Sequence, residues 1–300
     1  MNCLGDLLLS FNAISLVGMS KNAGKTTVLN YLLQYFNKKN LTLAITSIGR
    51  DGEATDIVTG TKKPKIYVPQ GSVVVTAERL LELSDITCEI LACTEFTSPL
   101  GRIIIVRAKS SGFVQIGGAQ ATGWTLKIME YLKDFAIDKM LIDGAINRKS
   151  ISNPILAKAV VLCTGASLSS NIDTVVQKTK FAAKIMCLPQ IKPDSYDCVP
   201  NDTNIHLKGA VTDTIIKTLL FSGKDLNNRH IICDDPSKIL ISQETYEKLQ
   251  ARGGELYVKN PVNLVAITVN PLSHKGFSLP KEEFLRRMSD AVDLPVFDVV

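Results

Sequence analysis

From residue 12 onward the apolar positions follow two alternating rhythms, short continuous apolar runs and longer stretches in which apolar residues recur every three or four positions. Continuous runs set between helical periods are what parallel strands need when helices cover both faces of their sheet. Residues 14–18 read as one such strand and 25–36 as a helix, with Val28, Leu29, Leu32 and Tyr35 on one stripe. Residues 41–48 read as the next strand. A β-rich middle follows at 65–68, 72–75 and 88–93, and then at 102–107 and 113–116, which read as a hairpin around Ser110, Ser111 and Gly112. The alternation then resumes, with a helix at 123–135, a strand at 139–142 ending at Asp143, a strand at 160–163 ending at Thr164 and Gly165, and a helical period at 170–186.

Pro189, Pro193 and Pro200, interspersed with Asp194, Asp197, Asn201 and Asp202, interrupt these rhythms and mark a domain boundary. Strand signals restart at 229–233, 238–241 and 262–269, and helical ones at 243–251 and 281–288. The pattern predicts an α/β protein. Residues 1–200 would form a mainly parallel sheet flanked by helices, and residues 201–300 a smaller α/β domain.

Composition narrows the partners. Apolar residues make up 45% of the 300 positions and charged ones 21%, enough apolar surface for a buried core. The net charge of +5 arises from 34 basic and 29 acidic residues spread along the chain, whereas a nucleic-acid footprint needs them gathered on one face. Residues 7–9 are leucines, but Asp6 precedes them and Asn12 follows, unlike a signal peptide, and no later stretch approaches the roughly 20 apolar residues of a spanning helix. A cytoplasmic protein without membrane or nucleic-acid contacts is expected. The seven cysteines have no Cys-x-x-Cys spacing and the three histidines no metal-site spacing, so neither a disulfide framework nor a zinc site is expected.

Against this background one motif carries chemistry. Gly18-Met19-Ser20-Lys21-Asn22-Ala23-Gly24-Lys25-Thr26-Thr27 lies between a predicted strand and a predicted helix. Such a loop turns backbone N–H groups toward a β-phosphate, at a helix N-terminus whose dipole also favours negative charge. Lys21, Asn22, Ala23, Gly24, Lys25, Thr26 and Thr27 are the candidate nucleotide-binding residues. Gly24 permits close backbone approach, Lys25 reaches the β- and γ-phosphates and Thr26 offers a hydroxyl to magnesium. ATP and Mg²⁺ are the expected cofactors, with ATP and GTP not distinguished by the loop: the Asn-Lys-x-Asp guanine motif is missing and no adenine motif replaces it.

A triphosphate site also needs a carboxylate at the end of a neighbouring strand to hold the metal. Asp143 fits, the plainer reading being a strand-ending Asp in a glycine turn. In Thr46-Ser47-Ile48-Gly49-Arg50-Asp51-Gly52-Glu53, at the end of the second strand, Asp51 and Glu53 are candidates for binding metal or orienting a water, and Arg50 for meeting the γ-phosphate. A solvated turn of mixed charge explains the same residues. Asn147, Arg148 and Lys149 could add a cation, and Gly117-Gly118-Ala119-Gln120-Ala121-Thr122-Gly123 reads as a connection rather than a second anion site.

Five residues, not the usual four, separate Gly18 from Gly24, a spacing that resembles dethiobiotin synthetase. The stretch Lys21 onward, Lys-Asn-x-Gly-Lys-Thr-Thr, also resembles the loop of molybdopterin-guanine-dinucleotide biosynthesis proteins. The chain thus resembles the P-loop NTPases of the dethiobiotin synthetase-like class, over roughly residues 1–200. More narrowly, residues 20–27, 46–53, 58–69 and 141–150 look like the P-loop reactivase subunit associated with adenosylcobalamin-dependent lysine or ornithine aminomutases. That resemblance implies ATP-driven exchange of damaged for intact cobalamin, with the aminomutase and a second reactivase subunit as partners. The alternative is an ATP-dependent ligase or kinase of the dethiobiotin synthetase type that activates a small carboxylate. Sequence leaves oligomeric state open, a homodimer included.

Overall fold

A computed structural model describes residues 3–47, 65–118, 122–145, 157–191, 204–222, 225–227 and 229–299. Its first half contains helix α1 (Leu4–Leu8), β1 (Ala13–Gly18), α2 (Lys25–Lys38), β2 (Leu43–Ser47), β3 (Ile66–Val68), β4 (Val73–Ala77), α3 (Glu78–Leu81), β5 (Cys88–Ser98), β6 (Gly101–Ala108), β7 (Gly112–Val114), α4 (Thr122–Lys133) and β8 (Lys139–Ala145). There follow β9 (Ala159–Gly165), α5 (Ile172–Met186), β10 (Asn204–Leu207), β11 (Val211–Thr212), α6 (Asp213–Phe221), β12 (His230–Cys233) and β13 (Ile239–Leu240). The chain closes with α7 (Gln243–Ala251), β14 (Glu255–Val258), β15 (Leu264–Asn270), α8 (Lys281–Ala291) and β16 (Val296–Asp298).

The expected α/β architecture is present. A nine-stranded sheet runs in the order β16-β15-β9-β1-β8-β2-β4-β6-β5, every pairing parallel from β16 to β4. Only β6 runs against its neighbours. All residues of β1, β2, β4 and β9 are buried, because alternate side chains enter different cores. On one face Val17, Ile142, Leu162 and Ile267 pack with residues of α4, α5 and α8 such as Ile128, Val175 and Phe284. On the other, Ile14, Leu16, Ile45, Leu141 and Val161 meet Leu29, Leu32, Leu33 and Phe36 of α2 and Leu4 and Leu8 of α1. The α2 stripe is therefore centred on Val28, Leu29, Leu32, Leu33 and Phe36, with the expected Tyr35 at its half-buried margin.

Two further expectations are corrected. The hairpin is β5–β6, not 102–107 with 113–116; β6 pairs with β5 and β4, while β7 pairs with β3. The turn is made at Gly101, whose φ of 98° suits a residue without Cβ, and Asp85 draws the Phe113 N–H away from β6. The sheet also extends past the break expected at residue 200. β15 pairs with β9, and β16 with β15, so residues 264–298 belong to the large sheet rather than to a C-terminal unit starting at 201. The proline-rich stretch marks where the chain leaves the sheet but carries no signal of its return. Between exit and return, β10, β12 and β14 form a three-stranded parallel sheet with its own core, in which Ile231, Leu256 and Val258 pack against Ile216 of α6 and Leu249 of α7. Ile185 of α5 also enters that core, so α5 serves both sheets.

Candidate functional site

The central strand β1 has β8 on one side and β9 on the other, with Gly18 opposite Ala145 and Cys163. All three strands run in one direction, so their C-terminal ends form a single edge, where ligands of open parallel sheets sit. The 19–24 loop crosses that edge to α2. Its path is fixed by Met19 N–H donating to Cys163 O at 2.9 Å and by a 2.7 Å hydrogen bond between the Ser20 and Ser167 hydroxyls. Two residues turn the chain through positive φ, Asn22 at 62° and Gly24 at 93°. Gly24 is also the N-cap of α2, and its carbonyl accepts from Val28 N–H at 3.1 Å.

The start of α2 has no acidic residue in its first turn and no side-chain hydrogen bond to its cap. A helix N-terminus built this way keeps its first N–H groups and the positive end of its dipole for an outside anion. Lys25, the first helical residue, folds back over Gly18; a Cβ there would lie 2.8 Å from Lys25 Cδ. This brings the ammonium to β8, where it donates to Gly144 O and lies 3.2 Å from Asp143 Oδ1. The two side chains are 18% and 17% exposed, enough for contact with a ligand and little enough for limited solvent screening.

Thr26 is half-buried beside Lys25, Ala23 is buried in the core under the loop, and Lys21, Asn22 and Thr27 are exposed. Asp143 lies within β8, two residues before its end, and pairs in register with Leu16 and with Ser47, the last residue of β2. The structure thus brings Lys25 and Asp143 together, although they are far apart in sequence. Arg50, Asp51 and Glu53 lie outside the described residues, as do Asn147, Arg148, Lys149 and the 119–121 part of the glycine-rich connection. The described part of that connection runs tightly over the end of β2, since a Cβ on Gly118 would fall 1.5 Å from Ser47 O. Among the described residues no three His, Cys, Asp or Glu side chains gather for a metal ion. One carboxylate and one hydroxyl are nevertheless the oxygen donors a magnesium ion accepts when phosphates and water complete its shell.

Asn270 was not apparent from sequence. It ends β15, and a Cβ on Gly24 would come within 3.0 Å of its Cβ and 3.3 Å of its amide nitrogen. Its backbone carbonyl accepts from Ala166 N–H at 2.9 Å, and Gly165 makes that approach sterically possible. Asn270 and Ser167 therefore wall the loop on the β9–β15 side. The only available signal was an Asn-Pro pair closing an apolar run. Beneath the loop Cys163 is fully buried in the core, and that burial pushes its thiol up to about 12.

No protein-family model matches this chain, and no curated protein matches it. Among the described residues no helix is long and apolar enough to cross a membrane.

Proposed function

We propose that the chain is a P-loop nucleoside triphosphatase that takes ATP with magnesium at the C-terminal edge of β1. The carrying observation is the position of Lys25, which starts a helix with an uncapped N-terminus and is folded back over Gly18 toward Asp143. In this reading the backbone of residues 21–25 and the first turn of α2 hold the phosphates, with Lys25 against the β- and γ-phosphates and Thr27 toward the α-phosphate. Thr26 and Asp143 hold magnesium, which when bound offsets charge on the β- and γ-oxygens. Asp51 and Glu53 are proposed to position the attacking water. Asn270 and Ser167 border the site on the side away from Asp143.

The resemblance extends this proposal to a physiological role. ATP turnover would drive the exchange of damaged for intact cobalamin on a lysine or ornithine aminomutase, together with a second reactivase subunit. Phosphate release and recovery of mutase activity, measured in one reaction with inactivated holo-mutase, test both levels. Turnover stimulated by the mutase, with recovery, supports the reactivase. Stimulation by a small carboxylate instead, with no response to the mutase, replaces it with a ligase. Failure to bind ATP at all rejects the site.

A further inference from the structure

Eight large apolar side chains are exposed among the described residues, and three of them gather on the β3–β7 ribbon and the turn beside it. Single exposed apolar residues need no explanation, whereas a cluster rimmed by polar groups marks a contact surface. Tyr67 and Phe113 face each other across the ribbon, 37% and 40% exposed, with ring centroids 5.3 Å apart and planes at 72°. Leu83, 54% exposed, lies in the turn that runs alongside β7, where Asp85 N–H donates to Phe113 O at 3.0 Å. The ribbon is a fixed platform. Its other face, with Ile66, Val68 and Val114, is buried in the core under α2. Asn30 of α2 accepts from Tyr67 N–H at 2.9 Å and donates to Lys65 O at 3.3 Å, so a core helix holds the aromatic pair outward.

The charges around this face lie on opposite sides of it. Lys65 comes from the β3 side and lays its ammonium 5.6 Å from the centre of the Phe113 ring. Glu82 is exposed on the β7 side, next to Leu83. Among the described residues neither Lys65 nor Glu82 has an ion-pair partner. A face that is apolar in the middle, positive on one side and negative on the other is complementary to itself after a half turn. We infer that it is a dimer interface, on which a second copy of this chain docks across a two-fold axis passing by the Tyr67–Phe113 pair. The rotation sets Lys65 of each protomer against Glu82 of the partner subunit, so every dimer holds that ion pair twice while the apolar centres cover each other. Aromatic side chains at the centre and charges at the rim are the common composition of such contacts. Unpaired charges of both signs on one face favour a second copy over a partner of one dominant charge. The inference is independent of the nucleotide reading, because none of these residues belongs to the proposed phosphate or metal site.

The test is sedimentation equilibrium of the full chain over about 1–100 µM, for the wild type, Lys65→Glu, Glu82→Lys and the double variant. The wild type is expected to pass from monomer to dimer in this range. Each single variant sets like charges against each other twice per dimer and is expected to raise the dissociation constant about tenfold or more. The double variant reverses the pair and is expected to restore most of the wild-type affinity, which the loss of a merely structural contact would not do. Both positions are exposed, and urea melts of the single variants check that the fold is kept. Phe113→Ser, which removes the apolar centre, is expected to leave a monomer. A wild type that stays monomeric throughout overturns the inference and leaves the face to a different protein. A dimer that persists unchanged in both single variants, or whose loss the double variant does not repair, also overturns it.

Discussion

Gly18→Ala separates the fold from the chemistry of the site. The φ of Gly18 lies outside the left-handed region, so alanine fits the backbone, but its Cβ would lie 2.8 Å from Lys25 Cδ, 2.9 Å from Cγ and 3.1 Å from Cε. All three are atoms of one flexible side chain. Relief to an ordinary carbon–carbon separation of about 3.5–4.0 Å moves the lysine chain by roughly 0.7–1 Å. A shift of that size disturbs the ammonium's hydrogen bond to Gly144 O and its ion pair with Asp143, now at 3.2 Å. For the fold this means about 0.5–1.5 kcal/mol for one weakened polar contact. The smaller conformational freedom of alanine in the unfolded chain offsets about 0.4–1 kcal/mol of it. Stability should therefore change by less than about 1 kcal/mol. Nucleotide affinity should respond far more, because a charged hydrogen bond contributes about 1.5–3 kcal/mol, or roughly 10- to 150-fold. Titration with a fluorescent ATP analogue in magnesium, alongside a urea melt, reads both quantities. A cooperatively folding Gly18→Ala protein with wild-type affinity would refute the role given to Lys25, and a variant that loses its fold would show that the lysine chain cannot give way.

Gly24→Ala should behave differently, since φ of 93° costs a non-glycine residue about 1–3 kcal/mol and the new Cβ meets Asn270 at 3.0 Å; a urea melt should show that loss together with weakened ATP binding. Lys139 is 4% exposed and donates to Leu9 O and Phe11 O, so Lys139→Met should lose about 2–4 kcal/mol at pH 7 by leaving both carbonyls unpaired. Burial holds the Lys139 ammonium below the ordinary lysine value, so the unfolded chain binds that proton more tightly. Its share of stability therefore rises as pH climbs from the folded pKa toward about 10.5, and Lys139→Met should remove that alkaline rise from urea melts. His230 has a buried Nδ1 without a hydrogen-bond partner among the described residues and a ring 4.6 Å from that of Tyr257, so His230→Phe keeps the ring contact and should raise stability by about 1 kcal/mol, seen as a higher urea midpoint.

Legibility followed the range of the interactions. The strand, loop and helix of residues 13–38 are specified by contiguous sequence, through an apolar run, glycine at the positive-φ position and a helical stripe, and all were visible. Asp143 was visible because a carboxylate closing a buried strand is itself a local pattern. The pairing of β15 with β9 joins segments about a hundred residues apart, and a strand with both faces buried looks the same whichever neighbour it takes. With that pairing hidden, Asn270 was assigned to another domain and its approach to Gly24 could not be anticipated. The misplaced hairpin has a related cause. Ser110-Ser111-Gly112 is a sound turn sequence, but β6 is held by β4 and β5, and a turn does not choose its strand's partners. β10, β14 and α6 were missed because they are short, and they are ordered by packing around a core shared with α5 and α7.

The late return of β15 also bears on how the chain is made. On a ribosome, β9 emerges about a hundred residues ahead of its neighbour, with the main-chain N–H and C=O groups of Val160 and Leu162 open along one edge. The whole smaller sheet must be synthesised before that edge is covered. During this interval the nascent protein presents an apolar, unpaired strand, the kind of surface that recruits chaperones or pairs with a second nascent chain. The same delay means that Asn270 joins the 19–24 loop only after the rest of its surroundings exist, so a synthesis pause between residues 204 and 260 would hold the molecule with that loop formed and one wall missing.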